Sequence, residues 1–258
     1  MTSIHTFASG SSGNAALVSR DRTHILLDAG ISARRIAGAL GELGLTPQDL
    51  SAICVTHSHS DHVSGLATIV KRWDVPILAT APCGRQLAYR VAGLEAKLRT
   101  IETGGGFPIG EITVTAFPTS HDAPGSCGYV LGQEGSRVAF CTDMGTMDGT
   151  IFETIRGSRA VVLEFNHDAD LLKTGPYPYA LKARILSDRG HLSNRFSAKV
   201  AVRLAQTGTE HITLAHLSAE NNRPALALGA AEDALRQAGL EPELVLAPRD
   251  EMGTPVFL

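Results

Sequence analysis

Ala52-Ile53-Cys54-Val55-Thr56 runs directly into His57-Ser58-His59-Ser60-Asp61-His62-Val63. The first five residues have the make-up of a short buried strand. The next six release three histidines and an aspartate at its end, before a helix predicted from Val63 to Trp73. In an extended or turning backbone, His57 and His59 project to one side, while Asp61 and His62, at the helix entrance, turn toward a second point. That suits two neighbouring divalent cations better than one. Imidazole and carboxylate ligands are those that Zn, Mn or Fe accept, and a ligand run without cysteine argues against a thiolate-rich structural site.

Two cations need more ligands than one loop provides, and other β-like runs also end in His or Asp. Ile112 to Phe117 leads to Thr119-Ser120-His121-Asp122, Arg137 to Cys141 leads to Asp143, and His211 to Ala215 leads to His216. Ligands placed just past strand ends converge at one edge of a sheet. Further strands are predicted at Ala15 to Val18, His24 to Leu27 and Ala160 to Phe165. Helices are predicted at Ser32 to Leu43, Pro82 to Ala92, Ser193 to Ala205 and Pro224 to Ala238. Paired strands followed by strand-helix alternation indicate a layered α/β sandwich in preference to a doubly wound sheet. No low-complexity linker divides the chain, so one catalytic domain over 1–258 is expected.

Composition sets outer bounds. The 258 residues are 43% hydrophobic and 19% charged, as in an ordinary globular protein. No run approaches the roughly 18 apolar residues that read as a membrane-spanning helix, and Met1 to Gly10 lacks a basic region followed by an apolar core. A cytoplasmic location with no membrane contact is therefore expected. Cys54, Cys83, Cys127 and Cys141 show no C-x-x-C spacing and read as buried free thiols. A net charge of −3 gives no global preference for nucleic acid.

The order Asp28, His57-x-His59-x-Asp61-His62, His121, Asp143, His216 resembles the metallo-β-lactamase fold superfamily over almost the whole chain. The resemblance implies a four-layer αββα sandwich. It also implies that His57, His59 and His121 hold one metal and Asp61, His62 and His216 the second, with Asp143 bridging. Asp28, which alone would read as a turn residue before Gly30, then matches the buried aspartate that shapes the ligand loop without touching metal. The implied reaction is hydrolysis: two cations sharing a bridging water lower its pKa and yield a hydroxide, with Asp61 orienting it as well as serving as ligand. The interval of 73 positions from Asp143 to His216 leaves no room for the inserted domain of the β-CASP nucleases.

Substrate choice rests on other residues, because lactams, thioesters, lactones and phosphodiesters are all hydrolysed on this fold. The loop Gly10-Ser11-Ser12-Gly13-Asn14 offers backbone N–H groups and the side chains of Ser11, Ser12 and Asn14 to an anionic oxygen, although such a segment alone is more often a turn. His191, with Ser193 and Asn194, stands near a predicted helix start. There it could protonate a leaving oxygen, contact a phosphate, or be a surface histidine beside a Ser cap. Asn166 and His167 follow a strand and either line the pocket or serve capping. His5, His24 and His211 read as structural.

From Lys173 to Arg203 seven basic residues face one acidic, with Tyr177, Tyr179 and Phe196 among them. This is either a nucleic-acid footprint or a solvated face. The opening Ala8-Ser9-Gly10-Ser11-Ser12-Gly13-Asn14, Glu164-Phe165-Asn166-His167-Asp168, Gly175-Pro176-Tyr177-Pro178-Tyr179, Gly190-His191-Leu192-Ser193-Asn194 and His216-Leu217-Ser218 together resemble the bacterial YycJ (WalJ)-like branch. What that implies is a 5′-to-3′ exonuclease activity on DNA. A hydrolase of small lactones or thioesters, and a metal-bearing sensor without turnover, are the alternatives.

Overall fold

A computed structural model describes all 258 residues. The chain builds β1 (Thr2–Ala8), β2 (Ala15–Arg20), β3 (Thr23–Leu27), helix α1 (Ala33–Glu42), β4 (Ala52–Cys54), helices α2 (Ser60–Val63) and α3 (Leu66–Arg72), β5 (Ile77–Thr80), α4 (Ala81–Arg90) and β6 (Leu98–Ile101). A second set follows: β7 (Gly106–Ile109), β8 (Ile112–Pro118), β9 (Cys127–Leu131), β10 (Val138–Cys141), α5 (Gly149–Ile155), β11 (Ala160–Glu164), α6 (Ala169–Thr174) and α7 (Tyr179–Ile185). Then come α8 (Asn194–Ala205), β12 (His211–Ala215), α9 (Pro224–Gln237), β13 (Glu243–Leu246) and β14 (Val256–Phe257).

Two seven-stranded mixed sheets result, in the orders β14-β1-β2-β3-β4-β5-β6 and β13-β12-β11-β10-β9-β8-β7. In each sheet, antiparallel strands on one side pass into four parallel strands, β3 to β6 and β10 to β13. The residue pattern dictates the layering. Along β3, Ile25 and Leu27 point into the core shared by the two sheets, while Leu26 joins the core under the first set of helices. Along β10 and β11, Val138, Phe140, Ala160 and Val162 enter the shared core, and Ala139, Cys141, Val161 and Leu163 pack under α5, α8 and α9. Strands buried on both faces lack the apolar-polar alternation of a surface strand, and their side chains still divide with period two between two cores. Each fully buried Ile or Leu contributes roughly 1.5–3 kcal/mol over an exposed one. Three cores stacked in this way make four layers, α, β, β and α, as the sequence led us to expect.

The predicted helix from Val63 to Trp73 is instead two helices, and the first already begins at Ser60. Gly65 lies between them with its N–H donating to Ala29 O at 2.8 Å. A Cβ on Gly65 would stand 2.3 Å from Ile31 O. The loop His57 to His62 is thus pressed onto the segment after β3, and the helix breaks to permit it. Seven strands (β1, β5, β6, β7, β9, β13, β14) and three short helices (α5, α6, α7) are additions to the sequence reading. All four cysteines are free and buried. No helix is long and apolar enough to cross a membrane.

Candidate metal centre

Strand ends deliver the site. Asp28 follows β3, His57 to His62 follow β4, His121 follows β8, Asp143 follows β10, Glu164 ends β11 and His216 follows β12. Asp28, Asp143 and His216 occupy the left-handed region at φ 59°, 58° and 57°, a conformation that costs an L-residue roughly 1–2 kcal/mol. Three separate strands therefore end in the same strained turn, and each aims an ionisable side chain at one point.

One group of donors is His57, His59 and His121. His57 Nε2 lies 3.1 Å from His59 Nδ1, and His121 Nε2 lies 3.2 Å from the same atom. Metal–nitrogen bonds of about 2.0–2.1 Å in a tetrahedron place neighbouring donors roughly 3.3 Å apart, so this spacing fits a shared cation. The Thr56 hydroxyl donates to Asp28 Oδ2 at 2.9 Å and can then accept from His57 Nδ1 at 3.0 Å, which leaves His57 Nε2 as the free lone pair. Burial lowers the pKa of His57, His59 and His121, with neighbouring histidines adding to the effect.

The second group is Asp61, His62 and His216. His62 Nδ1 lies 2.7 Å from Asp28 Oδ2, and His216 Nδ1 lies 2.9 Å from Glu164 Oε1. Burial opposes charge on both rings, yet nearby carboxylates outweigh it. Asp143 and Asp28 raise the pKa of His62 well above its usual value, and Asp143, Asp61 and Glu164 push that of His216 up to about 10. Asp61 is anchored through its backbone: its carbonyl accepts from Asn14 N at 2.8 Å, and a Cβ on Gly30 would fall 1.7 Å from that carbonyl oxygen.

Asp143 sits between the groups, with carboxylate oxygens 3.3 Å from His62 Nε2, 3.5 Å from His216 Nε2 and 3.9 Å from His121 Nε2. The contact to His62 lacks the alignment of a hydrogen bond, so Asp143 Oδ2 is buried without a partner, as is His216 Nε2. Buried polar atoms are rarely left so. Two orphaned donors of the right type, aimed into a ring of imidazoles, are what bound divalent cations would complete.

Around this centre lies a cleft of about 200 Å³, lined by Ser11, His59, Asp61, Asp143, Asn166, Tyr177, Leu181, Arg184, Ile185, His191, His216 and Ser218. Ser11, Asn166 and His191 thus line the cleft. Other expected substrate contacts do not. Ser12 is exposed but outside this lining. Asn14 is buried, and its amide is taken up by Gly10, by Asp61 O and by His62 Nε2 at 3.0 Å, so it supports the ligand loop from behind. Ser193 caps α8 by accepting from Phe196 N, and Asn194 pairs with the buried amide of Asn222. His167 is 1% exposed, has no partner on either ring nitrogen, and burial pushes its pKa down to about 4. Apart from Ser12, these groups are engaged in caps, loop ties and local packing.

Glu164 is the residue that sequence reasoning missed. It is fully buried at the end of Ala160–Glu164, where one oxygen meets both His191 Nδ1 at 2.8 Å and His216 Nδ1 at 2.9 Å. The other accepts from Met144 N and Leu192 N. Burial opposes its charge, but His191 and His216 bring its pKa down to about 2. The available signal was a lone acid closing an otherwise apolar strand. Asp122 is also newly placed: Arg184 grips it with two nitrogens, while its Oδ1 lies 3.5 Å from His121 Nε2 and 3.7 Å from His59 Nε2. Of the seven basic residues in the stripe, Arg184 alone lines the cleft, and Arg203 lies over the Phe152 ring.

A fold of this kind with a histidine and carboxylate cluster at its strand ends defines a metal-dependent hydrolase. The family model described as beta-lactamase superfamily domain matches residues 23–217, and the chain belongs to that superfamily. It is 34% identical over 233 residues to an exodeoxyribonuclease YycJ of Bacillus anthracis, covering 90% of this chain and 88% of that protein. With an exodeoxyribonuclease WalJ of Streptococcus pneumoniae it shares 33% over 236 residues, again 90% and 88% of the two chains. The crystal structure of the metallo-beta-lactamase fold protein YhfI from Bacillus subtilis superposes with a TM-score of 0.74 at 15% identity, over 99% of both chains.

Proposed function

We propose that the chain is a phosphodiesterase acting as a 5′-to-3′ exonuclease on DNA, with residues 1–258 forming one catalytic unit. The observation that carries this reading is the pair of donor groups joined by Asp143 at the floor of a largely polar cleft. Two ions, drawn from Zn, Mn or Fe, would be held by His57, His59 and His121 and by Asp61, His62 and His216, with Asp143 shared. Bound there, they supply an activated water and electrostatic stabilisation of the charge that develops on phosphate oxygens.

The chain's own groups do the rest. Asp61 would orient the attacking water by accepting its hydrogen bond. His191 has Nδ1 committed to Glu164, so Nε2 is the atom free to carry a proton to the leaving oxygen. Ser11 and Asn166 line the cleft at the substrate's side, and Tyr177 and Arg184 provide an aromatic face and a cation at its wall. The names of the YycJ and WalJ relatives support DNA as the polymer. The lactone or thioester alternative calls for a deep apolar pocket, and only three of the twelve lining residues are hydrophobic.

The test is to incubate metal-loaded protein with 5′-phosphorylated linear duplex DNA, bis(p-nitrophenyl) phosphate and a lactone. Release of mononucleotides from the 5′ end is expected. Hydrolysis of the lactone alone would overturn the proposal.

A further inference from the structure

We infer that a second cavity beside the metal centre, lined in part by Arg249, binds a phosphate of the DNA strand other than the one being cleaved. The inference rests on the phosphodiesterase reading above and extends it. The cavity measures about 280 Å³ and is lined by Ser9, Leu217, Ser218, Leu246, Arg249 and Asp250 among others. Ser218 also lines the metal cleft, so one side chain borders both spaces.

The wall between them is the loop after β1. A Cβ on Gly10 would lie 3.8 Å from Arg249 Nε and 3.3 Å from Leu217 O, so the Arg249 side chain runs along Gly10, and Ser11, the next residue, lines the cleft. Along this loop the backbone N–H groups of Ser11 and Ser12 have no partner within the protein. They and the guanidinium are donors on neighbouring residues left without a protein acceptor, as an anion requires.

Charge singles out Arg249. It is exposed and enters no salt bridge or hydrogen bond, whereas the other charged lining residue, Asp250, is tied to Arg35 through its carboxylate at 3.9 Å and its carbonyl at 3.0 Å. Arginine holds phosphate oxygens with two parallel N–H donors, and Leu217 and Leu246 offer an apolar surface to a sugar or base. A single phosphodiester fits in the metal cleft alone. A strand carries further phosphates past Ser218 and reaches the guanidinium.

The experiment compares metal-loaded wild type, Arg249→Ala and Arg249→Lys on bis(p-nitrophenyl) phosphate and on a short 5′-phosphorylated oligonucleotide. For Arg249→Ala, KM on the oligonucleotide is expected to rise roughly tenfold while kcat changes less than about twofold, with Arg249→Lys intermediate. The slope of log kcat/KM against log salt should fall by about one for loss of one phosphate contact. Equal losses on both substrates, or no change on the oligonucleotide, would overturn the subsite while leaving the phosphodiesterase reading intact. Wild type inactive on both substrates would overturn that reading itself, and the subsite with it.

Discussion

His57, His59 and His121 on one side of Asp143, and His62 and His216 on the other, are the same side chain in opposite electrostatic settings. The first three are held neutral by burial and by neighbouring histidines, His62 beside His57 and His191 beside His121 among them. Each of the other two has a buried carboxylate on Nδ1, Asp28 for His62 and Glu164 for His216, and is driven toward the protonated form. The first group does have carboxylates nearby, Asp143 and Asp122, but neither bonds a ring Nδ1, and Asp122 is partly exposed and paired with Arg184. Histidine identity therefore says little about how a ligand will behave. The acid behind it, and whether that acid is itself neutralised, decides.

The largest expected effect comes from removing what the two groups share. Asp143→Asn should lower kcat/KM on the order of 10³-fold, equivalent to several kcal/mol of lost electrostatic stabilisation, and reduce bound metal per chain. Plasma emission spectroscopy with a phosphodiester assay checks both, and full metal content with full activity would dissolve the idea that Asp143 joins the two groups. A sharper contrast follows from the backing acids. Glu164→Gln should cost roughly 10–100-fold in metal affinity or activity, whereas Asp122→Asn, which breaks a partly exposed pair, should cost only a few-fold. Equal losses would erase the asymmetry.

The last contrast is in pH dependence. In ion-free protein, His216 holds its proton up to about pH 10, so a cation captured there must displace it. Affinity at the His62 and His216 group should accordingly climb as pH rises from 6.5 toward 10, about tenfold per unit for each proton released. At the other group the histidine pKa values lie below 6.5, so its affinity should be flat over that window. Zinc calorimetry in two buffers of different ionisation heat, on His216→Ala and His59→Ala, measures the protons released. A count no higher in His59→Ala than in His216→Ala contradicts the assignment.

Much of this was legible in the sequence because apolar runs ending in His or Asp are conspicuous. That rule located His121, Asp143 and His216, and the dense run after Thr56 supplied the remainder. Glu164 escaped it by closing its strand instead of following it. Ser193, Asn194, Asn14 and His167 were expected at the substrate because the residue types that contact anions also cap helices and tie loops, and a sequence does not say which task is taken. The basic stripe was counted along the chain, which ignores helix faces: Arg184 lines the cleft, whereas Arg203 lies over the Phe152 ring. The period-two division of β3 and β10 between two cores was equally hidden, since Ile25 to Leu27 and Val138 to Cys141 are apolar without a break.

The origin of the site's residues has a kinetic consequence. Asp28 and the run His57 to His62 come from the first sheet, while His121, Asp143, Glu164 and His216 come from the second. Neither half of the chain holds a complete set of donors, and contacts this distant in sequence form late and slowly. Recovery of activity during refolding is thus a clock for the closing of one sheet upon the other, and ions added from the start act as a latch on that last step.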